Sequence, residues 1–213
     1  MAARHEIPRL TTARLCLREW HDEDLDPFAA LNADPEVMEH FVSPLSRVAS
    51  DELVDRLVAR WAADGLGLWA VERLADGRFL GFAGLSRHDF DAPFLPAIEV
   101  GWRFAREAWG RGYATEAAEM ALRHGFERAG LQEILSWTTV ANSRSRRVME
   151  RLGMTRDPDE DFEHPSIPVG HPQRRHVLYR LSRERWRDRR LFRRGSGDET
   201  PVEIGDRRAA EEG

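Results

Sequence analysis

Lysine is absent from this chain, and all 32 of its Lys-or-Arg positions are arginine. That excludes a nucleotide P-loop, whose phosphate grip ends in Gly-Lys-Ser/Thr. Cysteine occurs once, at Cys16, so neither a disulfide framework nor a cysteine-based zinc site can form within one chain. No apolar run approaches the roughly 20 residues that a bilayer span needs. The opening MAARHEIPRL has no long apolar segment of the secretory kind. The expectation is a soluble, cytoplasmic protein with no membrane partner. Acids outnumber bases by 37 to 32, a net charge of −5, which weighs against general nucleic-acid binding.

With 41% hydrophobic and 32% charged residues over 213 positions, the chain has enough apolar material for one packed domain. Short alternating runs give way repeatedly to amphipathic ones, the pattern of a mixed α/β layer fold. Strands are expected at 15–20, 68–73, 79–86, 97–104, 134–140 and 176–181, with a hairpin turn at Ala75-Asp76-Gly77. Helices are expected at 21–32, briefly from Asp34-Pro35-Glu36, at 50–64 behind Ser50-Asp51-Glu52, at 113–128 and at 142–152. Residues 157–172 read as a long loop rich in proline, acid and histidine. Arg183, Arg185, Arg187, Arg189, Arg190, Arg193 and Arg194 then cluster, interleaved with Trp186 and Phe192. Glu184 and Asp188 interrupt the run, which makes it a solvated face first and an RNA-binding strip second. Residues 1–192 are expected to form the domain, and 193–213, which lose all periodicity, a disordered tail.

The most informative stretch passes from a strand through a glycine turn into a helix. It reads Ile98-Glu99-Val100-Gly101-Trp102-Arg103-Phe104, then Trp109-Gly110-Arg111-Gly112-Tyr113-Ala114-Thr115-Glu116-Ala117. Small residues at Gly110, Gly112 and Ala114 let a ligand approach the main chain. Free N–H groups and the helix dipole at the helix start favour an anion, so a phosphate or pyrophosphate suits this turn as well as a plain connection does. A dinucleotide fingerprint is excluded, because its glycines follow the first strand of a βαβ unit and these follow a mid-chain strand in a meander.

Further segments accompany that stretch: Pro8-Arg9-Leu10 to Leu17-Arg18, Asn32-Ala33-Asp34-Pro35-Glu36-Val37-Met38, Ala141-Asn142-Ser143-Arg144-Ser145, and Val148-Met149-Glu150-Arg151-Leu152-Gly153-Met154. Together and in this order, over about residues 7 to 186, they resemble the GNAT superfamily of acyl-CoA N-acyltransferases, in its ribosomal-protein alanine acetyltransferase-like (RimJ/RimL-like) branch. The resemblance implies a twisted, mostly antiparallel central sheet with helices on both faces. It also implies a splay between the fourth and fifth strands, here 97–104 and 134–140, that holds acetyl-CoA or another acyl-CoA. The family signature Gln/Arg-x-x-Gly-x-Gly/Ala maps onto Trp109-x-x-Gly112-x-Ala114, with tryptophan as a departure at the first position. Main-chain amides from Gly110 through Arg111, Gly112, Tyr113 and Ala114 to Thr115 would cradle the pyrophosphate. Trp102, Arg103 and Phe104 would pair with the pantetheine arm, and Asn142 would lie along it. Arg111, Arg144 and Arg146 are candidate phosphate partners.

Acyl transfer from a thioester requires that the amine lose a proton, that an oxyanion find a donor and that the thiolate be protonated. Glu99 is the candidate base, on the strand that lines the site and within an apolar run where burial would raise a carboxyl's pKa. Glu116 is the alternative, with helix packing or capping as its simpler use. The family's acid is a tyrosine whose matching position here is Met149, which cannot donate; Ser145, one turn earlier, is the replacement candidate. The acceptor, an amine on a small molecule or a protein terminus, is expected between the first two helices and the late loop. Asp161, Phe162 and Glu163 would form an acidic, aromatic wall there, with no metal. Acetyl is the default acyl group; succinyl is open, with Arg103 and Arg18 as candidate partners of its carboxylate. A non-catalytic acyl-CoA-binding regulatory domain is the rival reading, and homodimers are common in the branch.

Overall fold

The computed structural model describes residues 7–195. Eight strands form one sheet in the order β1-β2-β3-β4-β5-β6-β8-β7. They are β1 (Leu10–Thr11), β2 (Leu15–Arg18), β3 (Leu68–Arg73), β4 (Arg78–His88), β5 (Ala97–Phe104), β6 (Glu133–Thr139), β7 (Phe162–Glu163) and β8 (Arg175–Ser182). Neighbours are antiparallel throughout except β5 and β6, which run parallel. The mixed α/β architecture is the expected one.

Helices α1 (Leu25–Ala33) and α2 (Arg47–Asp64) cover one face of the sheet, where Phe28, Leu31, Val54 and Leu57 pack on Ala70 and Phe82. Helix α3 (Tyr113–Arg123) covers the other, over Ala83, Leu85 and Val100. It widens into a π-helical turn at His124–Arg128. There Gly125 leaves the room that Ile134 and Leu85 fill, since a Cβ would sit 2.8 and 2.9 Å from them. Helix α4 (Ser143–Arg151) follows β6.

Local chemistry explains where the elements differ from expectation. Ser46, not Ser50, caps α2 by accepting from the Ala49 N–H, so the helix begins a turn early. Asp34 starts no helix: its carboxylate accepts from the Glu36 N–H at 2.8 Å and holds a turn instead. The helix expected at 21–32 opens with a single 3₁₀ turn, Asp22–Asp24. Part of the late loop becomes β7, paired with β8 through Phe162↔His176 and Glu163↔Arg175.

The arginine cluster forms a helix that periodicity did not reveal, α5 (Arg183–Gly195). Trp186 is buried beside Phe126, with ring centroids 5.2 Å apart. Arg185 donates to the Gly153 carbonyl, and Arg189 to those of Leu152 and Arg151. These arginines therefore cap the C-terminal end of α4, where cations are favoured. Because α5 runs to Gly195, the boundary expected at 192 falls inside it; the rest of the 193–213 segment lies outside the described residues. Among the described residues no helix is long and apolar enough to cross a membrane.

The sheet is nearly cut in two between β5 and β6. They share one register pair, Glu99↔Leu135, and beyond it the Ser136 hydroxyl donates to the Val100 carbonyl at 2.9 Å. This is the expected splay of the fourth and fifth strands.

Candidate active site

Strand alternation gives β5 two faces. Ile98 and Val100 enter the core beneath α3. Glu99, Gly101 and Arg103 turn the other way, opposite Ser86, Gly84 and Phe82 of β4. Glu99 stands at the last rung before the splay, with 18% of its side chain exposed. Its Oε2 lies 2.8 Å from Nε2 of His88, with the ring turned out of line for a hydrogen bond. The Glu99 carboxylate is thus held beside an imidazole, not simply desolvated among apolar groups. His88 packs edge-on against Trp137 at 4.9 Å. Sequence reading missed His88, because its closeness to Glu99 follows from the β4–β5 register; its place two residues beyond Ser86 is the only local signal. Next along the strand, a Cβ on Gly101 would meet nothing nearer than the Glu99 carboxyl at 3.9 Å. The floor beside the acid is bare.

Val100 turns its carbonyl toward β6, so by alternation the main-chain groups of Trp102 face the widening gap without a strand partner. The chain then turns at Gly110 and Gly112, both with positive φ (72° and 79°), and enters α3. Among the described residues no side chain caps this helix, and the Thr115 hydroxyl, in its first turn, is buried without a partner. Donors are therefore gathered here with no acceptor among the described residues.

Neighbouring residues hold the turn in place. Glu116 accepts from Thr12 Oγ1, the Arg14 N–H and the Arg14 guanidinium, so it serves packing. Arg14 also donates to the Arg111 carbonyl at 3.0 Å. Trp109 has a structural reason to replace the family's Gln or Arg: its indole N–H donates to the Phe104 carbonyl at 2.9 Å and ties the loop to β5. Arg144 lies over the Trp109 ring at 4.4 Å, while Arg111 donates to the Glu107 carbonyl and Arg146 to the Val140 carbonyl.

At the start of α4, Asn142 is a helix cap. Its Oδ1 accepts from the Ser145 N–H at 3.1 Å and its Nδ2 donates to Thr138 Oγ1 at 2.9 Å. Ser145 is partly exposed one turn before the buried Met149.

The residues expected to form the acceptor wall are not gathered as one. Arg156 neutralises Asp161 through both carboxylate oxygens, and Arg174 pairs with Glu163 at 2.7 Å. Neither acid keeps a free charge for an amine. Phe162 is buried in an aromatic cluster with Phe90, Phe94, Trp137, His164 and His176. Burial and neighbouring cationic groups push His164 down to about 4, and burial lowers His176 as well. Among the described residues no group of three or more His, Cys, Asp or Glu side chains could hold a metal ion.

Residues 14–155 match the family model of the acetyltransferase (GNAT) domain. The chain belongs to the GNAT acetyltransferase family. It is 32% identical over 147 residues to the Bacillus subtilis protein YkkB, covering 68% of this chain and 84% of that one. It is 31% identical over 191 residues to the FsC-acetyl coenzyme A-N(2)-transacetylase of Aspergillus fumigatus, covering 84% and 78%. An acetyltransferase from Agrobacterium tumefaciens str. C58 superposes with a TM-score of 0.67 at 28% identity, over 83% of this chain and 95% of that one. This GNAT protein is an acyl-CoA-dependent N-acyltransferase. The uncapped start of α3, with its partnerless Thr115 hydroxyl, fits the diphosphate of such a co-substrate.

Proposed function

We propose that the enzyme moves an acetyl group from acetyl-CoA to a primary amine, on a small molecule or a protein terminus, by direct attack in a ternary complex. The observation that carries this reading is the approach of Glu99 to His88 at 2.8 Å, at the rung where β5 and β6 part. Bound acyl-CoA supplies the thioester carbon that the amine attacks and the thiol that leaves. Glu99 takes the proton of the attacking ammonium, with the His88 imidazole beside it. A terminal α-amine, which in water titrates at about 8, asks less of this pair than a lysine, which titrates at about 10.4. The partnerless N–H groups along β5 polarise the acyl carbonyl. The first-turn N–H groups of α3 and Thr115 Oγ1 hold the diphosphate. Ser145 hydrogen-bonds the departing sulfur, a role closed to Met149. The amine arrives over the bare main chain at Gly101.

Two variants test this. Acetyl-CoA at a hundredfold excess over its dissociation constant should stabilise the wild type by about 2.7 kcal/mol in a thermal melt. Thr115→Val should weaken acyl-CoA binding about tenfold, about 1.4 kcal/mol, without moving the unliganded midpoint. Glu99→Gln should bind acyl-CoA normally yet lose about a hundredfold in kcat. Full turnover by that variant would remove Glu99 from the reaction, and the absence of any thermal shift with acetyl-CoA would overturn the donor assignment.

A further inference from the structure

Arg103 lies on the Gly101 face of β5, two residues beyond that glycine, and meets no carboxylate among the described residues. Its guanidinium lies 4.2 Å from the centroid of the Phe41 ring and 5.4 Å from that of Phe82. Nη1 donates to the Asn32 side-chain oxygen at 2.5 Å. That oxygen's orientation is fixed, because the same fully buried amide donates through Nδ2 to Ser50 Oγ at 2.8 Å. Nε is enclosed and has no acceptor, and no acceptor meets Nη2 among the described residues. Arg18, the other arginine offered by sequence for an acyl carboxylate, is closed by Asp24 at 2.7 Å and Glu72 at 2.8 Å. Burial pushes Arg103 down to about 10, which leaves it charged at neutral pH.

An enclosed guanidinium with no carboxylate is costly, and it persists where something outside the chain completes it. Nη2 is the donor left over, and it offers an incoming carboxylate a charge-assisted hydrogen bond. Phe41, 42% exposed, stacks on the guanidinium face and does not compete for its in-plane donors. The groove over Gly101 is thus flanked by an acid at one end and a cation at the other.

We infer that Arg103, oriented by Asn32, is a carboxylate-binding subsite of the acyl-transfer groove, so that one of the two reactants carries a carboxylate. This rests on the reading above, in which the amine arrives over Gly101 and yields its proton to Glu99. The carboxylate has two sources, an acceptor that bears one beside its amine and a dicarboxylic acyl group on the donor.

Binding distinguishes the sources without requiring turnover. One arm compares N-acetylglycine with its neutral amide, with and without CoA, in wild type, Arg103→Gln and Asn32→Asp. The other compares succinyl-CoA with acetyl-CoA in the same three proteins. Arg103→Gln keeps a donor for Asn32 but removes the charge. Asn32→Asp leaves Arg103 in place and gives it an internal partner, which guards against a result due only to misfolding.

The expected result is at least tenfold tighter binding of the carboxylate member of one pair in the wild type, falling to a ratio near one in both variants. The N-acetylglycine arm responding assigns the carboxylate to the acceptor, and the succinyl arm responding assigns it to the donor. Ratios near one in the wild type, or a preference that survives both variants, would overturn the subsite. Normal acetyl-CoA binding beside ratios of one would overturn the subsite alone. Failure of acetyl-CoA to bind would overturn the donor assignment and leave the N-acetylglycine pair to decide the subsite.

Discussion

On the α3 side of β5, Ile98 and Val100 are 7% and 0% exposed and pack among the helix's own buried side chains. On the opposite side of the same strand, Glu99, Gly101 and Arg103 present an acid, a bare main chain and a cation. Alternation alone separates the two sets, one residue apart in sequence. The apolar set fixes the strand to the core, and rigidity gained there helps to hold the polar set in position. A strand built this way should let stability and chemistry be altered one at a time.

The largest break in that division should come from Val100→Ala. Losing two buried methyl groups with little room to collapse should cost about 2–3 kcal/mol, seen as a lower denaturation midpoint at unchanged m-value. Activity per folded molecule should hold; a collapse of turnover in a protein of unchanged stability would refute the separation. Gly101→Ala should do the reverse. The methyl has open space, so the melting temperature should stay, while kcat/KM falls about tenfold, about 1.4 kcal/mol, because the groove floor is filled.

The smallest effect lies in the aromatic cluster beyond His88. His164 is held near 4 and His176 is lowered, so the unfolded chain binds protons that the folded chain refuses. Stability is then complete above about pH 6.5 and falls as the pH drops from there toward 4. Melting temperature followed across that window should decline, and His164→Phe should flatten the decline. A loss confined to the alkaline side would contradict this account.

How much of this was legible in sequence follows from the range of the forces involved. Strands 68–73 and 97–104 coincide with β3 and β5 end to end, because alternation and flanking turn residues are local. The glycine turn was legible for the same reason. Helix α5 was not, because Trp186 is the one buried anchor among its described side chains and its arginines answer to the carbonyl end of α4, far away in sequence. The pairing of His88 with Glu99 depends on register between strands, and the neutralisation of Asp161 depends on where a loop folds back; neither leaves a pattern in composition. The sequence offers Asn142 as lying along the pantetheine arm and says nothing of its bond to Ser145, by which it caps α4.

Strand β5 also bears on a hazard of sheet proteins. Past the Glu99↔Leu135 rung it is an edge strand in the interior of a sheet, with main-chain groups unpaired toward the gap. Exposed edges invite other chains to add on and aggregate. This one lies inside the sheet, because β6 stands across from it and stays joined to it by the Glu99↔Leu135 rung and the Ser136–Val100 bond. The fold thus keeps an unpaired edge within its sheet instead of at its margin.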